Sequence, residues 1–279
     1  MNAIVLADRL GGAPIVQPGP ILSIEDLTVR FGSVVAVESL SLSVRRGEFV
    51  ALLGPSGCGK STLLKAIAGL VAPAGGRIAQ AQGSGKNGAG ANGAGGNAGL
   101  RTSVMFQKPL LLPWRTTLDN VLLPVEIQRG GNSVDPADRG KAQRLLELVR
   151  LHDFASASPH QLSGGMQQRA ALARALMSDP DVLLLDEPFG ALDELTREVL
   201  NEELLRIWQS KDTRLATVLM VTHSIAEAVT MADRVIVLTK RPARIIEDVA
   251  VTTPRPRAPE DAACGAIIGR IRAMIRSGR

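Results

Sequence analysis

One stretch constrains this chain more than any other: Gly54-Pro55-Ser56-Gly57-Cys58-Gly59-Lys60-Ser61. It follows an apolar, strand-like run, Phe49-Val50-Ala51-Leu52-Leu53, and precedes Thr62-Leu63-Leu64-Lys65-Ala66-Ile67-Ala68, which reads as a helix. A strand that turns through glycines into a helix is the setting in which this pattern cradles phosphate. The glycines let successive backbone N–H groups turn inward with no Cβ in the way. The helix N-terminus adds positive potential at the same point. Lys60 is then expected to reach the β- and γ-phosphates of a nucleotide, Ser61 to ligate Mg²⁺, and Thr62 to add a phosphate contact.

A second stretch supplies the acids. Asp181-Val182-Leu183-Leu184-Leu185-Asp186-Glu187-Pro188 is an apolar run of the kind found in a central parallel strand, and it ends in two carboxylates. Open α/β sheets place ligands at the carboxyl ends of such strands. Asp186 is expected to hold Mg²⁺ directly or through water. Glu187 is the candidate general base for a water in line with the γ-phosphate.

About a hundred residues after the glycine loop comes Leu162-Ser163-Gly164-Gly165-Met166-Gln167-Gln168-Arg169. Ser163 is a good N-cap for a helix starting near Gly164, and the two glycines let an anion approach the backbone. One γ-phosphate has no evident need of two such sites from one chain, and the residues alone leave that puzzle open.

With these motifs in this order, the chain resembles the ATPase subunit of an ATP-binding cassette (ABC) transporter over about residues 22–250. The resemblance implies an α/β P-loop NTPase fold, an ABC-type core with an antiparallel β-subdomain and a helical subdomain. It matches Phe31 to the aromatic that stacks on adenine and Gln107 to the glutamine that senses Mg²⁺ and the transporter contact. Residues 162–166 match the signature, with Met166 in place of the commonest glutamine. Ala191-Leu192-Asp193 matches the loop crossing a dimer interface, and His223, in Val221-Thr222-His223, the switch histidine near the γ-phosphate. In that family two cassettes pack head to tail, so Ser163, Gly164 and Gly165 would serve the partner's ATP across an isologous interface.

Within the family, Leu111-Leu112-Pro113-Trp114, Pro124-Val125-Glu126-Ile127, residues 162–169 and Thr222-His223-Ser224-Ile225-Ala226-Glu227-Ala228 are most similar to the nitrate, sulfonate and taurine import branch. The implied cofactors are ATP and Mg²⁺. The implied partners are membrane permease subunits, a second ABC ATPase subunit and, indirectly, a substrate-binding protein. The stretch around Trp114 would face the permease's coupling helix; its alternative is core packing. The rival readings are a soluble ABC ATPase of translation or DNA repair, and an exporter ATPase. The first usually carries two cassettes or long coiled-coil insertions, neither visible here.

Composition sets the remaining bounds. The 279 residues are 45% hydrophobic and only 3% aromatic, enough for one large domain with a helical insertion. No apolar run approaches the roughly twenty residues of a membrane helix, and no secretory signal opens the chain. The chain is therefore expected to be soluble or peripheral and cytosolic, and the resemblance implies a peripheral place on the cytoplasmic face of the inner membrane. A formal charge of +5 is mostly scattered, and with so few aromatics no nucleic-acid partner is expected.

Residues 1–20 read as a disordered N-terminal extension and 21–254 as the ATPase domain. Within the domain, Ile21 to Val44 is expected to form antiparallel strands and about 108–180 the helical subdomain. About 80–99 is a Gly/Ala/Asn-rich insertion expected to be flexible and dispensable for ATPase activity. Residues 255–279 form a basic amphipathic tail, with Ile267, Ile268, Ile271, Met274 and Ile275 on one helical face, set either against the domain or against an anionic leaflet. Cys58, inside the phosphate loop, is expected to block ATP binding sterically when alkylated.

Overall fold

The computed structural model describes residues 19–80, 100–131, 134–210 and 213–277. The expectations for residues 1–18 and 81–99 lie outside these; Pro20 opens the first strand and Gln80 closes the fourth.

Two sheets organise the described residues. The smaller is antiparallel, in the order β2-β1-β4, from β1 (Pro20–Phe31), β2 (Val34–Arg45) and β4 (Gly75–Gln80). In β2, Leu40, Leu42 and Val44 are buried while Ser39, Ser41 and Ser43 are exposed, the alternation of a strand with one wet face. Phe31 ends β1 opposite Val34, at the tip of this hairpin.

The larger sheet has six strands in the order β5-β6-β7-β3-β8-β9. Here β3 is Phe49–Leu53, β5 Thr102–Met105, β6 Val182–Asp186, β7 Thr217–Thr222, β8 Arg234–Leu238 and β9 Ile245–Ala250. The first five in that order are parallel, and β9 is antiparallel to β8. Every residue of β3, β6 and β7 is buried, as expected for strands covered on both faces. Phe49, Ala51 and Leu53 face one core and Val50 and Leu52 the other.

The helices are α1 (Lys60–Ile67), α2 (Thr117–Gln128), α3 (Pro136–Leu148), α4 (Gly164–Leu176), α5 (Glu194–Gln209), α6 (Ile225–Met231) and α7 (Ala262–Ser277). The first directs its N-terminus to the carboxyl end of β3. Helices α2, α3 and α4, which follow β5 and precede β6 in the chain, pack on one another.

The tail is built into the larger core. Cys264, Ile268 and Ile271 of α7 are buried there, with Ile267 and Ile275 packed against it, and α7 lies on α6. Two basic residues ahead of α7 point inward. Arg255 donates to the Met231 carbonyl at 3.1 Å through Nε, and Arg257 donates to those of Val229, at 3.0 Å, and Ala232. These carbonyls end α6, where cations are favoured. Arg255 also lies 5.0 Å from the ring centroid of Trp208, a cation–π contact, and Trp208 meets Phe49 edge-on at 5.5 Å. The apolar face of the tail is thus spent on the core. Replacing Ile271 with Ala should cost about 2–5 kcal/mol, read as a lower urea midpoint.

Candidate functional site

The parallel ladders bring three loops together at the carboxyl ends of the central strands. Leu53 pairs with Thr222 and Asp186 with Val221, so the glycine loop, the two acids and His223 all leave the sheet within a residue of the same level. A cleft of ≈ 420 Å³ opens there. The glycine loop and α1 line it with Ser56, Gly57, Gly59, Lys60, Ser61 and Thr62. Asp186, Glu187 and Gln107 line it from the strand ends, and Phe31, Val34 and Ala36 from the hairpin.

The loop is held tightly. Gly59 has φ 125°, and a Cβ there would lie 2.4 Å from the Ala36 carbonyl oxygen; only glycine fits. Lys60 is buried, and its Nζ donates to the carbonyls of Gly54 at 2.7 Å and Pro55 at 2.9 Å. The Ser61 hydroxyl donates to Asp186 Oδ1 at 2.6 Å. These are hard oxygen donors side by side. Among the described residues no group of three or more His, Cys, Asp or Glu could hold a metal alone. A hydroxyl and one carboxylate, completed by phosphate oxygens, is the donor set that suits Mg²⁺.

Glu187 takes φ 47°, a conformation that costs free energy in a non-glycine residue and is often kept at working sites. Its N–H donates to the Val221 carbonyl at 3.0 Å. Its Oε2 lies 3.2 Å from His223 Nδ1. The turn carrying His223 is locked from below. The Thr222 hydroxyl donates to Glu227 and accepts from the Ser224 N–H at 2.9 Å, and Ser224 Oγ accepts from the Glu227 N–H at 3.2 Å. Sequence reading gave Glu227 no such role; the acid four residues after His223, at the start of a helix, was the available signal. Arg241, which also lines the cleft, was missed as well. Phe31 is 53% exposed at the cleft mouth, so it is not a core aromatic.

One placement is corrected. The Cys58 side chain is 1% exposed and belongs to the smaller core rather than to the cleft, and its N–H is bonded to the Pro55 carbonyl at 3.3 Å. The loop turns this side chain under itself, so a reagent meets the loop before the thiol. Cys264 is buried too. Both thiols should react with a thiol reagent on the order of a hundredfold more slowly in native protein than in denaturant, measured by absorbance.

Ser163, Gly164, Gly165 and Asp193 do not join the cleft. They form a second group, at the N-termini of α4 and α5. Ser163 Oγ accepts from the Met166 N–H at 3.3 Å, and Asp193 Oδ1 from the Thr196 N–H at 2.9 Å. That backbone bond, with the Thr196 hydroxyl, holds the Asp193 carboxyl below the usual range. A Cβ on Gly165 would lie 3.0 Å from Thr196 Cγ2, and one on Gly164 3.4 Å from Leu192 Cδ2.

Two ties join this group to its surroundings. Gln168 Nε2 donates to the Gln107 carbonyl at 2.8 Å. Arg169 lies 3.0 Å from Glu203 of α5. Burial pushes the Glu203 carboxyl up, and the charges of Arg169, Arg150 and Arg206 pull it down.

The segment after Gln107 is fixed from behind. Arg174 donates to the Pro109 and Leu110 carbonyls at 2.6 and 2.8 Å. Asn120, wholly buried, accepts from the Leu112 N–H at 2.7 Å and donates to the Leu112, Arg115 and Thr116 carbonyls. Trp114 stands out from this fixed loop, 77% exposed.

Residues 37–190 match the ABC transporter family model. The chain belongs to the ABC transporter family. It is 39% identical over 278 residues to the aliphatic sulfonates import ATP-binding protein SsuB of Burkholderia ambifaria, covering 99% of this chain and 78% of that one. It is 44% identical over 230 residues to the nitrate import ATP-binding protein NrtD of Synechococcus elongatus, covering 82% and 79%. A solved dimeric ATP-binding cassette in a post-hydrolysis state, bound to ADP and Pi, superposes with a TM-score of 0.65 at 30% identity, covering 84% of this chain and all of that one. The protein is an ABC-type ATPase, an ATP-binding subunit that hydrolyses ATP. Among the described residues no helix is long and apolar enough to cross a membrane.

Proposed function

We propose that this ABC ATPase drives import of a small oxyanion such as nitrate or an alkylsulfonate, taurine included, through permease subunits to which it binds peripherally on the cytoplasmic side. The observation that carries the catalytic part is the convergence of Ser61, Asp186, Glu187 and His223 at the carboxyl end of one sheet, with Glu187 bonded to His223. The relatives named for sulfonate and nitrate import support the cargo class.

In this reading the ATP polyphosphate lies along the glycine loop, and bound Mg²⁺ would neutralise charge at the terminal phosphates. Ser61 and Asp186 would hold the ion, and Gln107 would stand beside it. Lys60 exchanges its carbonyl partners for phosphate oxygens. Phe31 offers its face to adenine. Glu187 accepts a proton from the attacking water, and His223 orients the Glu187 carboxylate and the γ-phosphate end of the cleft.

The separate group of Ser163, Gly164, Gly165 and Asp193 serves a second cassette. A two-fold partner, most simply another copy of this chain, brings that group over each nucleotide. Trp114, a large side chain left in solvent on a fixed loop, is suited to anchor the permease contact.

Glu187→Gln should retain ATP binding, lower turnover by about a hundredfold or more, and hold a dimer in ATP and Mg²⁺ by light scattering. A monomer under those conditions would count against the two-cassette mechanism. Capture of tagged Glu187→Gln protein from solubilised membranes with ATP should bring down a permease. Cells lacking the chain should fail to grow on an alkylsulfonate as sole sulfur source or on nitrate as sole nitrogen source; growth on both would reject the cargo class.

A further inference from the structure

The turn after β8 is closed on itself. The Thr239 N–H donates to the Arg244 carbonyl at 2.9 Å. Its hydroxyl donates to the Pro242 carbonyl at 2.7 Å and accepts from the Arg244 N–H at 2.9 Å. The turn is also fastened to β2. The Ala243 N–H donates to the Ala36 carbonyl at 2.9 Å and the Glu38 N–H to the Ala243 carbonyl at 3.1 Å, while the exposed pair of Arg244 with Glu38 at 2.7 Å adds little. Arg241 is therefore presented from a fixed base. Its Nε and one terminal nitrogen both donate to the Gly57 carbonyl, at 3.1 and 2.9 Å, and its side chain lines the same cleft as Phe31 and Lys60.

The Gly57 carbonyl belongs to the peptide whose N–H is that of Cys58. A trans peptide points its C=O and N–H in opposite directions. With the carbonyl held out on the guanidinium, the Cys58 N–H is turned back into the loop. There its acceptor is the Pro55 carbonyl at 3.3 Å, long for a backbone hydrogen bond. Gly57 has φ 72°, and glycine tolerates several other orientations nearly as well. Something outside the loop must choose among them.

We propose that Arg241 is a positioning residue for the terminal phosphates of the nucleotide. Its guanidinium locks the 57–58 peptide with the N–H inward, and the Cys58 N–H exchanges its long bond to Pro55 for a phosphate oxygen. The same side chain places a second cation at the cleft beside Lys60. This rests on the reading of the cleft as the ATP site.

The test is binding of fluorescent ATP and ADP analogues to the full chain, with steady-state kinetics, for Arg241→Ala, Arg241→Lys, Arg244→Ala and Lys60→Ala. Arg241→Ala should weaken both nucleotides about tenfold, raising KM by more than it lowers kcat. Arg241→Lys should recover part of the loss, since an ammonium still donates to the Gly57 carbonyl. Arg244→Ala, which alters the same turn without touching the loop, should bind within twofold of the unaltered chain. Arg241→Ala binding within twofold of the unaltered chain, while Lys60→Ala loses binding, would overturn the role of Arg241 and leave the site reading standing. Equal losses in Arg241→Ala and Arg244→Ala would also overturn it, by tracing the effect to the turn. Undiminished binding in Lys60→Ala would overturn the site reading itself.

Discussion

The register of the parallel ladder is the constraint on which the rest depends. Leu53 stands against Thr222 and Asp186 against Val221, so a glycine loop, a pair of acids and a histidine far apart in sequence leave the sheet together. Side chains alternate along a strand, so slipping β6 by one residue would exchange its core-facing residues and turn Asp186 away from Ser61. The apolar runs of β3, β6 and β7 do more than fill the two cores. Alternate side chains fit two different cores, which favours one register, and that register allows the 2.6 Å bond between Ser61 and Asp186.

The hairpin and the turn after β8 are drawn to the same end of the sheet by a second constraint, the missing Cβ of Gly59. The Ala36 carbonyl occupies the space a side chain would need, and the same carbonyl accepts from the Ala243 N–H. The antiparallel sheet, the glycine loop and the β8 turn thus meet at one atom. Phe31, at the tip of the same hairpin, stands exposed in the lining of the cleft.

Much of this was legible in the sequence because the chemistry is local. Glycines before Lys60-Ser61 demand a tight turn onto a helix. A run of four apolar residues ending in Asp186-Glu187 demands a buried strand with its acids at the rim. What could not be read was side-chain direction across long separations. Arg241 and Gly57 are 184 residues apart, and no spacing rule links them. Cys58 sits inside a phosphate-binding pattern, yet its thiol turns into the core, because the direction of each Cβ is set by the loop's backbone angles, which a residue pattern does not spell out. Arg255 and Arg257 read as a basic tail, but the unpaired carbonyls ending α6 claim them.

Helix α4 is a stiff rod about 20 Å long, and its two ends are tied to different things. Near its C-terminus, Arg174 grips the loop that carries Trp114; at its N-terminus stand Ser163, Gly164 and Gly165. Between them, Gln168 is fastened to Gln107 and Arg169 to Glu203. A load applied at Trp114 therefore has a short mechanical path to the far end of the rod. Asn120 holds the loop to α2 and Arg174 holds it to α4, so Trp114 and the turn at Ser163 are joined through one unbroken helix and a few hydrogen bonds.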